Sequence, residues 1–344
     1  MMNQLYLPSG YLNIKNIEKA ALRDSIAFII MIGGRQVGKT YGTLKLMLDE
    51  KKKFILMRRT QTEIDFISSG NVNPFLPLGR PDITIKKASR YHGEILQGDP
   101  EDHDVIGLTL ALSTVSKIRG FSGVDYTDLV FDEFIPENHV MRIKDEGDAF
   151  LNAIVTISGN RELEDKPPLR TWLLANSNNL NSPILSALNI MEKVEQMKRK
   201  GQELSILPER SLMIVLPTSE HILEKRKETA LVKAAGTHSK FFSMAFGNEF
   251  SYNDSENVKA IKPEGMRPIL SVRGAFTLYR LKGKEAYHLN DYKMGINIEF
   301  TDSEAGSIRL LNSFPGIREA YYTGKISFQT QTLKEKFKSY FKFT

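Results

Sequence analysis

With 344 residues, 41% of them hydrophobic and 26% charged, and a net charge of +6 at pH 7, the chain exceeds what one core fills and reads as a soluble protein of two domains. It has no cysteine, and its six histidines are scattered without paired spacing, which excludes disulfides, thiolate sites and a cysteine nucleophile and argues against a zinc centre. The longest apolar run, Ile26 to Ile32, is too short for a bilayer, and the N-terminus lacks signal-peptide character, so a cytosolic protein is expected.

The first predicted strand is "SIAFIIMIG" (25–33), β-branched, aromatic and uncharged, as a strand buried on both faces should be. Directly after it, Gly33-x-x-x-x-Gly38-Lys39-Thr40 satisfies the phosphate-loop pattern. "TYGTLKLMLDEKK" then carries Leu44, Met47 and Leu48 at helical spacing. In this strand–loop–helix unit the backbone N–H groups of Gly33, Gly34, Arg35, Gln36, Val37 and Gly38 are expected to cradle phosphate. Lys39 reaches the β and γ oxygens, and the Thr40 hydroxyl ligates magnesium. "KFILMRRTQTEID" (53–65) reads as the next strand, ending in Arg58 and Arg59, which suit DNA contact, subunit contact or a solvated strand end.

"STVSKIRGFSGVDYTDLVFDEF" (113–134) places Lys117 and Arg119 in a glycine-containing segment before a short buried strand, Leu129 to Phe131. Asp132, at the strand's C-terminal end, is where ligands bind in open parallel sheets and is expected to hold the magnesium shell. Glu133 is placed to orient and deprotonate an attacking water. Further on, "LRTWLLANSNN" (169–179) is an apolar strand, Trp172 to Ala175, ending in Asn176, Ser177 and Asn178, polar side chains suited to sensing the γ-phosphate. No Asn-Lys-x-Asp occurs, so adenine is favoured over guanine, and a glutamate after the acidic strand suits a hydrolase rather than a kinase.

Residues 251–344 carry 15 Lys and Arg against 10 Asp and Glu, whereas residues 1–220 carry 27 against 28, so the basic excess lies late in the chain. "EQMKRKGQELSILPERS" (195–211) reads as a charged helix end and a turn, and "HILEKRKETALVKAAGTHSKFF" (221–242) as an exposed helix closed by Gly236. From residue 266 to 289 the period is that of strands, with "KGKE" as a hairpin turn, and "MGINIEF" (294–300) makes a third strand. Arg267, Arg273, Arg280, Lys282 and Lys284 put positive charge on and beside them, and the tail "LKEKFKSYFKFT" either stacks on nucleic acid or, as the favoured reading, is a terminal helix that packs its aromatics on its own domain. The expected organisation is a domain over 1–219, a helical linker over 220–250 and a small basic α+β domain over 251–344.

The arginine in "GGRQVGKT", the Lys117-x-Arg119-Gly120 segment, "VFDEF" and the "ANSN" strand end together resemble the viral terminase-type packaging ATPases. They are most similar to the DNA-encapsidation ATPases of small protein-primed podophages. That resemblance implies a P-loop NTPase domain of the ASCE type, with a parallel sheet, and a C-terminal domain of ribonuclease H-like fold. It also implies ATP and Mg2+ as cofactors, and a homomeric, pentameric ring that pushes double-stranded DNA into a preformed shell. The ring would attach transiently to the procapsid in the host cytoplasm, contacting the capsid portal and, in some members, a packaging RNA. It further implies an arginine acting in trans on the neighbour's site, Arg119 first and Arg161 second, with Arg35 acting from within the loop. No acidic residue occurs from Gly265 to Lys284, so the first strand of the small domain offers no metal ligand and nuclease activity is not expected. Two rival readings are a headful terminase with a working nuclease and a nucleotide-gated assembly protein with little turnover.

Overall fold

Uncharged β-branched and aromatic runs become the strands at the centre of the fold. The computed structural model describes residues 5–70, 72–99, 101–117, 123–136, 143, 145–176, 182–218, 220–235, 257–261, 263–283 and 286–341. The chain divides into two compact units, 1–188 with 194–251, and 252–344 with 189–193.

In the first unit, nine strands form one sheet: β1 (Phe28–Gly33), β2 (Phe54–Arg58), β3 (Ile83–Lys87), β4 (His92–Asp99), β5 (Asp102–Ala111), β6 (Asp128–Asp132), β7 (Arg170–Asn176), β8 (Leu204–Leu207) and β9 (Leu212–Val215). Their order is β3-β4-β5-β2-β6-β7-β1-β9-β8. The six strands from β5 to β9 in that order are parallel. The sheet is therefore mixed rather than wholly parallel, because β3 and β4 on one side and β8 on the other run antiparallel to their neighbours. β3 shows why an edge is tolerated there: Ile83 and Ile85 are buried while Thr84, Lys86 and Lys87 face out.

Local chemistry fixes the helices beside this sheet. Asn13 caps α1 (Ile14–Arg23) by accepting from the Asn16 N–H. Gly38, at φ +94°, turns the chain into α2 (Lys39–Asp49). The arginine pair predicted to end a strand is split: β2 stops at Arg58, and Thr60 with Glu63 forms a reciprocal capping box that starts α3 (Gln61–Ser68). The core gathers Ile29 and Met31 of β1, Phe54 and Leu56 of β2, Val130, Trp172 and Leu174 with Leu44 and Met47 of α2.

The second unit holds five strands, β10 (Arg267–Val272), β11 (Phe276–Arg280), β12 (Tyr287–Asn290), β13 (Glu299–Phe300) and β14 (Ile326–Phe328), ordered β13-β10-β11-β12-β14. Residues 266–289 thus make three strands and not two, since the chain already folds back at Gly274, φ +72°. The strand expected over 294–300 shrinks to two residues. Helices Glu304–Ser313, Gly316–Tyr322 and Gln331–Phe341 cover the sheet. As predicted for the tail, Phe337 and Phe341 are buried, with the Phe337 ring 5.4 Å from that of Phe328 and 5.7 Å from that of Phe276.

Two further expectations are corrected. The segment 195–211 contains the strand β8, and the single exposed helix expected over 221–242 is two helices, Glu220–Lys227 and Ala230–Ala235, with Ile222 and Val232 buried. Gly236, proposed to close it, lies outside the described residues. Among the described residues no helix is long and apolar enough to cross a membrane.

Candidate nucleotide site

β7 lies between β1 and β6, so the C-terminal ends of three parallel strands bring the phosphate loop, Asp132 and Asn176 to one place. Such strand ends are where open α/β sheets bind ligands. Gly33 is required by packing: a Cβ there would stand 2.5 Å from Cγ of Pro217. In the loop, Gln36 adopts a left-handed φ of +62°, Val37 is buried, and Arg35 and Gln36 are exposed.

Lys39 is only 6% exposed. Its ammonium donates to the Gly33 carbonyl at 2.9 Å, the Gly34 carbonyl at 2.7 Å and Oδ1 of Asn176 at 3.3 Å. Burial pushes its pKa down to about 8, with the charge of Asp132 opposing, Arg35 lowering it further and Glu133 opposing. A cation held by carbonyls in a shielded site is poised to exchange those acceptors for phosphate oxygens.

The Thr40 hydroxyl donates to Oδ1 of Asp132 at 2.9 Å. Two hard oxygen donors at this separation fit a magnesium ion that keeps most of its waters and takes its remaining ligands from phosphate. Glu133 follows at φ +58°, a backbone conformation an L residue rarely adopts, and its N–H donates to Asp132 Oδ1 at 3.1 Å. That turn lifts its carboxylate toward solvent, 56% exposed, rather than into the core.

The residue that sequence reasoning misplaced is Arg58. It grips both acids of its own site: one nitrogen lies 2.9 Å from Oδ2 of Asp132, the other 2.7 Å from Oε2 of Glu133. The signal that finds it is the pairing of β2 with β6, which is a property of the assembled sheet and not of either segment.

Arg161 is corrected as well. Its side chain is 4% exposed, and its guanidinium donates to the carbonyls of Val124 at 2.9 Å and Tyr126 at 2.7 Å. So placed, it ties together the loop before β6. Arg119, Ser177 and Asn178 lie outside the described residues, as does Lys284. Lys117 ends a 3-10 turn, exposed, with its ammonium 5.6 Å from the centroid of the Tyr91 ring.

In the second unit Arg273 is paired with Glu299 at 2.6 Å, and Glu299 also accepts from the Tyr292 hydroxyl at 2.6 Å. Arg267 and Arg280 stand directly opposite each other on β10 and β11.

A family model described as podovirus DNA encapsidation protein (Gp16) matches residues 13–265. No curated protein matches the chain by sequence. Among solved structures, the Phi-28 gp11 DNA packaging motor is similar at 17% identity, with a TM-score of 0.60 over 95% of this chain and 97% of that one. The bacteriophage Phi-29 viral genome packaging motor assembly is similar at 16% identity, with a TM-score of 0.59 over 94% and 97%. At these identities the likeness speaks for the fold.

Proposed function

Since this chain belongs to the podovirus DNA encapsidation protein family, and so works in a motor that packages phage DNA, we propose that its first unit hydrolyses ATP to drive that motor. The observation that carries the reading is the convergence of Lys39, the Thr40–Asp132 pair, Glu133 and Asn176 under one glycine loop.

In this reading the loop N–H groups and Lys39 bind and orient the β and γ phosphates, and Thr40 with Asp132 would hold Mg2+, which supplies charge neutralisation on those oxygens. The Glu133 carboxylate, which lines the same cleft, takes a proton from the attacking water once Arg58 releases it. Asn176, already in contact with Lys39, senses whether a γ-phosphate is present. With Arg161 committed to its own chain, Arg119 becomes the arginine that completes a neighbour's site in a pentameric ring, and Arg35 adds positive charge at the loop. The ring, double-stranded DNA, the capsid portal and a packaging RNA are partners by the same proposal, as is a division into a domain over 1–219, a linker over 220–250 and a basic domain over 251–344. That the two similar structures are of phage packaging motors supports it.

We assign no DNA cutting to the second unit, whose proposed ribonuclease H-like sheet would need a carboxylate on its first strand. The support is that β10 carries none and that Glu299 on the adjacent β13 is engaged by Arg273 and Tyr292.

The test is ATP turnover of the wild type and of Glu133→Gln, each with and without double-stranded DNA. Turnover stimulated by DNA and lost in the variant, with nucleotide binding intact, is the expected result. Turnover indifferent to both would sink the reading.

A further inference from the structure

Two arginines face each other across the sheet of the second unit. Arg267 and Arg280 are opposite partners in the register of β10 and β11, and Tyr287 of β12 is the partner of Arg280, so the three make one row. Like charges directly across a ladder repel and cost stability. Arg273, just past the end of β10, is neutralised by Glu299, but among the described residues neither Arg267 nor Arg280 has a carboxylate within ion-pair distance. Beside the pair the register of β10 slips between Pro268 and Leu270, an irregularity of the kind that re-aims side chains next to ligand sites.

Arg267, Arg280 and Tyr287 all line a cavity of about 810 Å3, in the size range of small-molecule sites. Its walls are otherwise largely apolar: Ile269 and Leu278 come from the sheet, Ile296 and Ile298 from the segment before β13, and Phe314 and Ile317 from the junction of the helices Glu304–Ser313 and Gly316–Tyr322. Leu278 and Ile317 belong to the core of the unit, so the cavity reaches inward from the arginines. Among the described residues no acid lines this cavity or the hollow adjoining it, where Lys282 joins the two arginines.

We propose that this cavity binds a small organic phosphate monoester, its phosphate held by Arg267, Arg280 and the Tyr287 hydroxyl and its apolar or aromatic body lodged in the chamber behind them. A monoester carries about 1.5 to 2 negative charges at pH 7 and three strong acceptor oxygens, which matches two guanidiniums and a phenol. A single carboxylate brings less charge and leaves one arginine still facing the other. The backbone of a nucleic acid brings one charge per phosphate and polar sugars, and an apolar chamber gives those sugars no hydrogen-bond partners.

The probe is phenyl phosphate, titrated calorimetrically into the full chain beside inorganic phosphate and benzoate, which each lack one half of the recognised group. Both should bind about tenfold more weakly than phenyl phosphate. Arg280→Met should weaken phenyl phosphate about tenfold, and its melting temperature should not fall, because the change relieves like-charge repulsion. Ile296→Trp fills the chamber from a half-buried position, and should abolish phenyl phosphate binding while inorganic phosphate stays within about twofold. Phenyl phosphate affinity that is matched by inorganic phosphate or benzoate overturns the site. Affinity unchanged in Arg280→Met overturns it too, since the binding would then belong elsewhere, as on the phosphate loop of the first unit. Displacement of phenyl phosphate by a short RNA lacking terminal phosphates would make the arginines a contact for backbone diesters, and tighter binding of a phosphotyrosine pentapeptide would make the cavity a peptide site; either result overturns a small-molecule monoester.

Discussion

Arg58 and Glu133, 75 residues apart, are joined by a 2.7 Å ion pair at the edge of the cleft over the phosphate loop, which Glu133 lines. The same guanidinium holds Asp132 at 2.9 Å, so a single side chain restrains both acids of the site.

If that pair restrains turnover, Arg58→Ala raises ATP hydrolysis in the absence of DNA. The pair is partly solvent-exposed and is worth about 1 kcal/mol, equivalent to about a fivefold rate increase. Steady-state phosphate release with and without DNA reads both the rise and the expected loss of DNA stimulation. A fall in basal rate would instead make Arg58 part of the chemistry.

Asn176 touches Lys39 without being one of its principal acceptors, the carbonyls being closer. Asn176→Ala should therefore leave nucleotide affinity within about threefold while turnover falls about tenfold, the pattern of a group used on the way to the transition state. Equilibrium binding and kcat measured side by side separate the two effects.

Arg161→Met tests a structural role. Removing charge-assisted bonds to the part-buried carbonyls of Val124 and Tyr126 should cost about 2 to 4 kcal/mol and lower the melting temperature by several degrees. Where the folded fraction is restored by lowering the temperature, ATP turnover per folded subunit should return, whereas a trans-acting arginine would leave it abolished.

His288 in the second unit is fully buried, bonded through Nδ1 to Ser327 Oγ at 3.0 Å and through Nε2 to Gln329 Oε1 at 3.2 Å. Burial pushes its pKa below the usual 6.5, with the Gln329 contact opposing. The unfolded chain then binds a proton near pH 6.5 that the folded chain refuses, so stability is full above that value and is lost as pH falls below it. Thermal melts from pH 7.5 to 5.5 should show a steeper decline for the wild type than for His288→Gln.

The phosphate loop, Asp132 and Asn176 were legible because each is written in a short stretch: an uncharged strand, then the residue at its end. Arg58 was visible as a residue but not as a partner, since its neighbours come from β6 and the order of strands is a long-range property. Strands β3 to β5 went unread because β3 alternates as an edge strand does, while β4 and β5 each carry polar, exposed residues over about half their length. Arg161 sits in "SGNRELED", a stretch whose composition is that of a surface loop, and nothing in it reveals three carbonyls within reach.

Successive side chains on a strand leave by opposite faces. At the end of β2 this sends Arg58 to Asp132 and Glu133, and sends Arg59 into a fully buried pair with Glu146 at 2.6 Å, in the first turn of α4 (Glu146–Ser158). Arg59 cannot give up that carboxylate cheaply, because an unpaired charge so deep costs several kcal/mol. The two neighbouring arginines thus tie the end of β2 to the acids of the candidate site on one face and to α4 on the other.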